Sequence, residues 1–166
     1  MIKAIVHVDK NWGIGKGNDM MFSLPLDMKF FRSTTLHHTV VMGGNTLRSF
    51  PNAQPLKNRT NIVLSRGQVR DDCIIVRSYD ELKKQMKDRK NEEIFVIGGG
   101  EVYKELLPYC HEALVTKVDA VGGAEVFFPN LDELEDFVCI DEGEEIEDNG
   151  YKIRFTTYKN TNPKEL

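Results

Sequence analysis

The sequence predicts a single-domain α/β protein over residues 1–166, with a mixed, mostly parallel eight-stranded sheet, about four flanking helices and an antiparallel C-terminal hairpin. Two observations predict this class. Short β-branched runs alternate with helical segments along most of the chain, which is typical of a parallel sheet covered on both faces. In the last third no helix separates the final two strand-like runs, and the acidic segment between them contains Asn149-Gly150, a strong hairpin turn signal.

The bulk properties limit the classes of protein that fit. A length of 166 residues with 40% hydrophobic content suffices for one buried core but not for two comfortable domains. Apolar stretches such as residues 94–100 are far shorter than the roughly 20 residues of a membrane span. The N-terminal run is predicted to be a strand and not a secretory signal, so we expect a cytoplasmic protein without membrane contact. The net charge of −4, with acid concentrated between Asp132 and Asp148, argues against a nucleic-acid surface.

Several kinds of reactive centre have no support in the sequence. The three cysteines are odd in number and widely separated, which favours neither a disulfide framework nor a zinc site; they are Cys73, Cys110 and Cys139. The histidines lack metal-ligand spacing and are interpreted as structural or surface residues; they are His7, His37, His38 and His111. Neither Ser23 nor Ser65 has the setting of a hydrolase nucleophile. We therefore expect no metal centre and no nucleophilic hydrolysis.

The elements of the first third follow from local chemistry. Residues Ile2–Val8 are β-branched and apolar, which predicts a strand, and the glycine-containing stretch after them predicts a long mobile loop. Pro25 fits the first turn of a helix because its nitrogen has no proton to donate, and that helix should run from about Pro25 to Leu36. A strand, a tight turn and a short helix are predicted over residues 39–50, before a proline that stops the helix.

The same alternation continues along the rest of the chain. Further strands are predicted at residues 60–65, 73–77, 94–100, 112–118, 137–140 and 151–159. Further helices are predicted near Tyr79–Lys87 and Glu101–Leu107.

Asp27 is a candidate for chemistry because it falls in an apolar part of the first predicted helix. Helical spacing surrounds it with Phe30 and Phe31 on one side and Ser23 and Leu24 on the other, so no cation of this segment faces it. A carboxylate turned inward there would be poorly solvated, which favours its protonated form and is a common route to an acid catalyst. The alternative is an ordinary aspartate at a helix start, which the helix macrodipole favours.

Two glycine-rich turns follow predicted strands. Gly98, Gly99 and Gly100 lack Cβ atoms, which lets a phosphate or another backbone approach the start of the next helix. The stretch 43–46, with two glycines, repeats this pattern after another strand, and two such ends would suit a dinucleotide. The sequence is not the G-x-G-x-x-G fingerprint, so a tight turn without a ligand remains the alternative.

Arginines flank these turns and could hold an anionic ligand. A planar guanidinium suits a carboxylate or a phosphate monoester, although any one of these residues could equally be a solvated surface charge. They are Arg48, Arg59, Arg66 and Arg77.

A series of short motifs lies in order along the chain. The motifs are A-I-V at 4–6, W-G-I-G at 12–15, L-P-x-D at 24–27, F-F-R at 30–32, V-M-G at 41–43, N-I-V-L-S at 61–65, V-I-G-G-G-x-V-Y at 96–103, T-K-V-D at 116–119 and F-F-P at 127–129. Through this series the chain resembles the dihydrofolate reductases of the bacterial chromosomal type over essentially its whole length.

The resemblance implies an NADPH-dependent reduction of dihydrofolate, with hydride passing to the pterin ring and a proton reaching the neighbouring ring nitrogen. Asp27 matches the carboxylate of the family's folate pocket and is expected to be the only ionisable group there. Thr116 matches the threonine that hydrogen-bonds this acid. Phe22 stands at a catalytic position where relatives usually have tryptophan. Diaminopyrimidine antifolates are expected to pair their protonated ring with Asp27, with Met28 and Phe50 setting the tightness.

The resemblance also implies the ligand contacts. The folate pocket should be lined by Ile5, Val6, Met28, Phe31, Phe50, Leu56 and Ile97, with Arg59 holding the α-carboxylate. Cofactor contacts should come from His7, Ile14, Gly15, Met20, Gly43, Gly44, Asn45, Thr46, Leu64, Ser65, Arg66, Gly98, Gly99, Gly100, Glu101, Val102 and Tyr103. The loop from Asp9 to Leu24 should close over the nicotinamide, and the Gly98-Gly99 bond should be cis. We expect a monomer.

Some positions depart from the family pattern. Gly44 and Glu101 stand where many relatives carry arginine near the cofactor phosphates, so Arg66 becomes the candidate for the 2′-phosphate, with Arg77 second. Glu125 replaces a shorter acid in a loop that should touch the closing loop, which puts that contact in question.

Two other functions are compatible with the same features. One is a reductase of the same fold acting on another heterocycle, such as the pyrimidine reductase of riboflavin synthesis. The acid of L-P-x-D argues against it, because that acid matches a pterin-like hydrogen-bonding edge. The other is a nucleotide-binding protein without catalysis, which the pairing of Asp27 with Thr116 disfavours.

Overall fold

One mixed β-sheet forms the centre of the molecule in the computed structural model, which describes residues 1–166. The strands are β1 (Ile2–Val8), β2 (Gly13–Gly15), β3 (Thr39–Gly43), β4 (Thr60–Leu64), β5 (Ile74–Val76), β6 (Ile94–Gly98), β7 (Glu112–Val118), β8 (Val126–Phe127), β9 (Phe137–Glu142), β10 (Ile146–Asp148) and β11 (Tyr151–Asn160). The helices are α1 (Pro25–Thr35), α2 (Gly44–Ser49), α3 (Tyr79–Asp88) and α4 (Gly100–Leu106). None of the helices combines the length and apolar character that a membrane crossing requires.

The order of strands in the main sheet is β10-β11-β7-β1-β6-β3-β4-β5, and β9 also pairs with β11. Because β7 pairs with one edge of β11, the segments β9 and β10 occupy successive parts of its other edge. The nine strands therefore fill eight positions, as the sequence predicts. All pairs among β1, β3, β4, β5, β6 and β7 are parallel, and every pair that involves β11 is antiparallel.

The predicted helices are present with small differences at their ends. Helix α1 begins at Pro25, as expected, and ends at Thr35, one residue before the predicted end. Helix α4 begins at Gly100, one residue earlier than predicted, because Gly99 already acts as its N-cap. Ser78 caps α3 by accepting a hydrogen bond from the Glu81 amide, which satisfies a backbone donor that a helix start leaves free.

The C-terminal hairpin turns at Asn149 and Gly150, which have φ values of 53° and 86°. Positive φ at both central residues is the geometry of the tight turns that match the twist of antiparallel strands. The acidic segment before this turn is not only a connection, since it contains β10.

Apolar side chains cover both faces of the sheet. Val40, Val41 and Met42 in β3 are fully buried although successive residues of a strand point to opposite faces. One face carries a cluster of 21 buried residues, and the other carries a smaller cluster that includes Ile5, Met42 and Phe95. A pocket near the smaller cluster can therefore have apolar walls.

A separate two-stranded sheet, β2 paired with β8, joins the loop after β1 to the loop after β7. Because β1 and β7 are parallel neighbours, both loops leave the main sheet at the carboxyl ends of their strands. This is the edge at which open α/β sheets bind ligands.

Candidate active site

The Asp27 carboxylate lies in the first turn of α1 and contacts side chains from two neighbouring strands. Its Oδ1 accepts a hydrogen bond of 2.7 Å from the Thr116 hydroxyl in β7. Its Oδ2 lies 3.3 Å from Nδ1 of His7 in β1. The side chains of His7 and Asp27 are only 8% and 14% exposed. The carboxylate is thus largely shielded from solvent. In this it differs from an ordinary solvent-exposed aspartate at a helix start.

The register of the sheet explains this arrangement. His7 and Thr116 are direct partners in the parallel pair of β1 and β7, so their side chains stand side by side on one face. Helix α1 packs over that face, and each neighbouring side chain reaches a different carboxylate oxygen.

His7 changes the expectation that Asp27 is the only ionisable group in this pocket, because His7 Nδ1 lies 3.3 Å from Asp27 Oδ2. Of the two interpretations of His7 as a structural or a surface residue, the second is wrong, since its side chain is only 8% exposed. The local sequence held one usable signal, since His7 lies in an otherwise largely apolar strand. What it faces depends on the pairing of β1 with β7 and on the docking of α1, which the sequence does not show.

Asp148 holds the start of α1 and was missed by sequence reasoning. The N-terminal residue of α1 has no side-chain cap of its own. Instead, the buried Asp148 carboxylate of β10 accepts hydrogen bonds of 3.1 Å from the amides of Leu26 and Asp27. A carboxylate at this position also complements the positive end of the helix dipole. No local pattern predicts a cap that comes from more than 120 residues away.

Most of the expected folate-pocket residues lie together. Phe31, Phe50, Leu56 and Ile97 pack against the smaller apolar cluster, of which Ile5 is a buried member. These residues come from β1, α1, β6 and the segment after α2, so only the tertiary fold brings them together. Asp27 lies on the same helix as Phe31, one turn away, beside this apolar wall.

Val6 and Met28 differ from this set. The Val6 side chain packs against the larger cluster and so points to the sheet face opposite Ile5, because neighbouring residues of a strand alternate. The side chains of Val6 and Ile5 therefore lie on opposite faces of the sheet, and the contact of Val6 with the substrate stays a prediction. Met28 is half-buried in the first turn of α1.

Phe22 is buried close to the ionisable pair. Its ring centroid lies 6.2 Å from that of His7 and 4.9 Å from that of Tyr151. Phenylalanine has no hydrogen-bond donor, so at this position it supplies shape and excludes water from the neighbourhood of His7.

Arg59 lies at the far end of α1 and is held by that helix. Its Nε donates to the Thr35 hydroxyl at 2.9 Å, and its terminal nitrogens donate to the carbonyls of Lys57 and Arg32 at 2.6 and 3.0 Å. Burial lowers the pKa of the Arg59 guanidinium, and the charge of Arg32 lowers it further. Arginine stays protonated in proteins despite such shifts, so Arg59 presents a fixed positive charge.

The glycine-rich turns adjoin one another at the carboxyl edge of the sheet. The Gly98-Gly99 peptide bond is cis, as the resemblance implies. Strand β3 lies between β6 and β4, with Met42 paired to Gly98 and Gly43 paired to Leu64, so the turns after these strands are neighbours. They form the candidate cofactor edge.

The spacing within this edge leaves little room for side chains. A Cβ on Gly44 would lie 3.2 Å from the Ser65 Cβ, which is tighter than usual, whereas one on Gly99 would lie at an ordinary contact distance of 3.6 Å from the Thr46 hydroxyl. Gly98 has a φ of 119°, a conformation that only glycine adopts readily. Because glycines carry no side chain, a diphosphate could approach the backbone of these turns closely.

Other expected cofactor residues differ in exposure. Val102 and Tyr103 are buried in the larger cluster, and the Tyr103 hydroxyl donates to the Ile5 carbonyl at 2.7 Å. Their side chains pack in the core, and Val102 Cγ2 also lies next to Gly43 at the edge. Glu101 and Arg66 are exposed at the same edge.

Two arginines near Ser65 already form hydrogen bonds within the protein. The Arg77 guanidinium donates to the Ser65 carbonyl at 2.7 Å, and Arg48 donates to the Asn45 side chain. Ile14 and Leu64 pack against the larger cluster. The Arg66 side chain makes no such hydrogen bond.

The loop from Asp9 to Leu24 is tethered at several points. Gly15 lies in β2, and its carbonyl accepts from the Glu125 amide at 2.9 Å. The Glu125 carboxylate accepts from the Gly17 amide at 2.7 Å, so the longer acid does make the contact that the sequence left in question. Met20 is 52% exposed at the tip of the loop.

Asp9 is a second buried acid that sequence reasoning missed. Its Oδ1 accepts from the amides of Asn11 and Gly13 at 2.8 Å, and its Oδ2 accepts from the Gly122 amide at 3.0 Å. It therefore joins the loop after β1 to the loop after β7 with backbone hydrogen bonds. These bonds satisfy the carboxylate, so Asp9 positions the loop.

The fold and the site define an α/β protein with one carboxylate beside an apolar cluster and a glycine-lined edge suited to a dinucleotide. The family model for dihydrofolate reductase matches residues 1–160, and the chain belongs to that family.

Individual relatives agree with this assignment. The chain is 33% identical over 165 residues to dihydrofolate reductase of Bacillus subtilis (strain 168), covering 98% of this chain and 96% of that one. It is 36% identical over 153 residues to dihydrofolate reductase of Haemophilus influenzae, covering 91% and 93%. The fold matches a structure of dihydrofolate reductase from Enterococcus faecalis complexed with NADP(H) and RAB-propyl, with a TM-score of 0.84, 30% identity and 96% coverage of both chains.

Proposed function

We propose that this chain reduces 7,8-dihydrofolate to 5,6,7,8-tetrahydrofolate with NADPH, and so supplies one-carbon metabolism, with Asp27 as the acid of the pterin pocket. Membership of the dihydrofolate reductase family carries the reaction and favours it over a riboflavin-pathway pyrimidine reductase or a non-catalytic protein. The observation that carries the residue assignment is the partly buried Asp27 carboxylate between Thr116 and His7.

Asp27 has the chemistry that a pterin edge requires. The ring-NH and amino groups of the substrate are donors, and a carboxylate accepts two hydrogen bonds side by side. The Thr116 hydroxyl fixes one oxygen and thereby the plane of the carboxylate. A ring bound in this way more readily accepts a proton at the nitrogen next to the carbon that receives hydride. A water molecule delivers this proton. NADPH, when bound, supplies the hydride.

The remaining folate contacts follow from the same pocket. Ile5, Phe31, Phe50, Leu56 and Ile97 supply apolar walls that exclude water, which strengthens polar contacts inside. Met28 lies beside Asp27 on α1 and completes this wall. Arg59 is preoriented by α1 and offers a planar guanidinium to the α-carboxylate of the substrate.

For the cofactor, we assign the diphosphate to the backbone at Gly43–Thr46 and Gly98–Gly100. The nicotinamide belongs beneath the loop that carries Ile14, Gly15 and Met20, near His7. Further contacts are assigned to Leu64, Ser65, Glu101, Val102 and Tyr103, of which the last two have side chains that pack in the larger cluster.

Arg66 is assigned to the 2′-phosphate of NADPH because it is exposed directly after Ser65, whereas Arg77 is held by the Ser65 carbonyl. Replacing Arg66 by Ala should raise KM for NADPH by about tenfold and leave KM for NADH unchanged, since NADH lacks that phosphate. Steady-state kinetics with both cofactors measure this. The matched control is Arg70→Ala, because Arg70 is paired with Asp72 at 2.7 Å. An equal rise for both cofactors would refute the assignment.

The decisive test of the proposed function measures the consumption of NADPH in the presence of dihydrofolate. Asp27→Asn keeps the shape of the side chain and removes its ionisable proton, so hydride transfer at neutral pH should fall by about tenfold or more. Single-turnover kinetics separate this step from product release. The control is Asp88→Asn on the exposed end of α3. A wild-type rate in Asp27→Asn would overturn the role of the acid.

The same variants test the expected inhibitors. Diaminopyrimidine antifolates should bind by pairing a protonated ring with Asp27, with Met28 and Phe50 packing against their substituents. Equal inhibition of the wild type and of Asp27→Ala would contradict this pairing.

We further propose that the protein acts as a cytoplasmic monomer that binds neither nucleic acid nor membranes. All three cysteines are free, which is usual in a reducing compartment.

A further inference from the structure

Arg48 is an exposed residue of α2 whose guanidinium lies over the backbone of Gly44. Its Nη1 is 3.3 Å from the point that a Cβ on Gly44 would occupy, and its Nη2 donates a hydrogen bond to the Asn45 side chain. Side chains of a helix tilt toward its N-terminus, and residues four apart lie on the same face, so Arg48 reaches back across one turn. The guanidinium is therefore oriented at the candidate cofactor edge.

Gly44 provides the space that this arrangement needs. A Cβ at this position would lie 3.2 Å from the Cβ and the hydroxyl of Ser65 as well as 3.3 Å from Arg48, which is closer than most side-chain contacts. By the resemblance described above, Gly44 stands where many relatives carry arginine. The structure places a guanidinium beside position 44 from a residue four positions later, so Arg48 restores the positive charge that is missing there.

The Ser65 hydroxyl is a second donor at the same place. Its oxygen and Nη1 of Arg48 both lie within 3.3 Å of one point, so a single phosphate group beside that point can contact both. The hydroxyl oxygen accepts from the Gln68 amide at 3.3 Å, and the hydroxyl proton has no acceptor in the protein. A guanidinium and a hydroxyl with a free proton are suited to an anion with several acceptor oxygens.

Three arginines surround Ser65 in a protein whose net charge is −4. Arg66 follows Ser65 directly, Arg77 donates to its carbonyl at 2.7 Å, and Arg48 lies across Gly44. None of the three guanidiniums forms an ion pair with a carboxylate. Positive charge without a compensating acid attracts anions. A phosphate monoester, which carries a charge of about −1.5 to −2 at pH 7, matches such a cluster.

The order of the strands separates this cluster from the place assigned to the diphosphate. Strand β3 lies between β6 and β4, so the turn after β3 has the glycines 98–100 on one side and Ser65 on the other. The diphosphate is assigned to the turns after β3 and β6, whereas Ser65 and the guanidinium beside it lie on the β4 side. The group that belongs on the β4 side is then the phosphate by which NADPH differs from NADH.

We propose that Arg48 and the Ser65 hydroxyl bind the 2′-phosphate of NADPH together with Arg66, which makes Arg48 a determinant of the preference for NADPH over NADH. This inference rests on the proposed function of the cofactor edge and deepens the assignment of Arg66. Arg66 approaches the phosphate from the segment after β4, and Arg48 approaches it from α2, so two guanidiniums share one dianion. NADH has a neutral hydroxyl at that position and gains little from either charge.

Binding of NADPH and of NADH, measured by calorimetry in the absence of dihydrofolate, tests the proposal without turnover. Arg48→Met keeps most of the apolar stem and removes the guanidinium. It should weaken binding of NADPH by about tenfold, as expected for the loss of one charge-assisted hydrogen bond, and leave binding of NADH unchanged. Retained NADH binding also shows that the fold is intact. The matched control is Arg89→Met, which removes an arginine paired with Glu92 at 3.4 Å and should change neither affinity.

Two further changes test the contributions of the neighbours. Arg48→Met combined with Arg66→Ala should remove the preference for NADPH over NADH. Gly44→Ala places a methyl group against the guanidinium, which moves more easily than Ser65 on the end of β4, so the preference should fall by a smaller factor than in Arg48→Met. In the Arg48→Met background, Gly44→Ala should not alter the preference further, because the guanidinium that it displaces is already absent.

A wild-type preference for NADPH in Arg48→Met would refute the proposal. So would an equal loss of affinity for both cofactors, because that result would place Arg48 at the diphosphate. Failure of the proposed function gives a different result. A preference that depends on Arg48, in a protein that does not reduce dihydrofolate, would overturn the proposed function alone, whereas full reductase activity with a preference independent of Arg48 would overturn this inference alone.

Discussion

Thr116 is the residue on which the orientation of the Asp27 carboxylate depends. Its hydroxyl donates to Oδ1 at 2.7 Å, and neither residue is freely exposed. A hydrogen bond to a charged group contributes about 1.5–3 kcal/mol, and an unpaired buried acceptor costs a similar amount. The pocket therefore needs a donor at position 116 as well as the acid at position 27.

Replacing Thr116 by Val keeps the branched shape and removes the hydroxyl. We expect kcat/KM for dihydrofolate to fall by about tenfold, which corresponds to about 1.4 kcal/mol of lost transition-state stabilisation. Steady-state kinetics at neutral pH provide the measurement. Thr157→Val is the control, because Thr157 lies on β11 without a side-chain hydrogen bond. If both variants lose activity equally, the hydroxyl has no special role.

Single residues also show the limits of local prediction. The apolar helix around Asp27 indicates a poorly solvated acid, and the structure places it at 14% exposure. For His7 the only signal is that it lies in a largely apolar strand, which does not reveal what its side chain faces. The contact arises from cross-strand register and helix docking together.

At the scale of elements, α1 depends on a distant strand for its start. Pro25 predicts where the helix begins, because it lacks the amide proton that would need a partner. The next two amides do need one, and Asp148 of β10 supplies it. The C-terminal hairpin therefore stabilises the helix that carries Asp27.

Asp148→Ala should lower the free energy of unfolding by about 1–2 kcal/mol, the usual cost of removing a helix cap. It should also lower the rate of hydride transfer, since the first turn of α1 loses its anchor. Urea denaturation and single-turnover kinetics on the same preparation measure the two effects. Glu147→Ala, on the same strand but exposed, should change neither. Unaltered stability in Asp148→Ala would show that the cap is dispensable.

The loop between β1 and α1 is a second element whose position is set by distant contacts. The carboxylates of Asp9 and Glu125 and the short pairing of β2 with β8 join it to the loop after β7. Glycines in the sequence predict a loop of this length, but not which part of the chain it contacts. The longer side chain of Glu125 reaches the Gly17 amide, so the departure from the family pattern does not abolish the link.

At the scale of the whole molecule, a buried cysteine thiol and two buried tyrosine hydroxyls resist ionisation at high pH. Burial raises the pKa of Cys110 to about 12. Burial also raises the pKa values of Tyr103 and Tyr158, the second with help from its hydrogen bond to Asp132. These groups stay protonated in the fold at pH values where the unfolded chain has lost those protons. Their contribution to stability is complete below the unfolded pKa values and is lost as pH rises.

We therefore expect the urea midpoint to be constant from pH 6 to 8 and to fall from roughly pH 8.5 upward, as unfolded cysteine and then tyrosine ionise. Tyr103→Phe removes one of these groups. It should be less stable at pH 7, because its hydrogen bond to Ile5 is lost, but its midpoint should fall less steeply above pH 9. Denaturation series at several pH values give both slopes, and identical slopes would contradict this account.

The sequence by itself determined the class of fold, the positions of the helices and most strands, the hairpin turn and the candidate acid. These features depend on local properties: proline without an amide proton, glycines that adopt positive φ, and the periodicity of apolar residues. Such properties act over a few residues, so they can be inferred without knowing what packs against them.

Only the tertiary structure decided what surrounds the acid. The contact of His7 with Asp27, the cap from Asp148 and the ties made by Asp9 join residues up to more than 120 positions apart. The packing of Val6 on the face opposite Ile5 likewise follows from the assembled sheet. Side-chain hydrogen bonds and ion pairs form only where folding places two groups within about 3 Å, and that distance depends on the register of strands and the docking of helices.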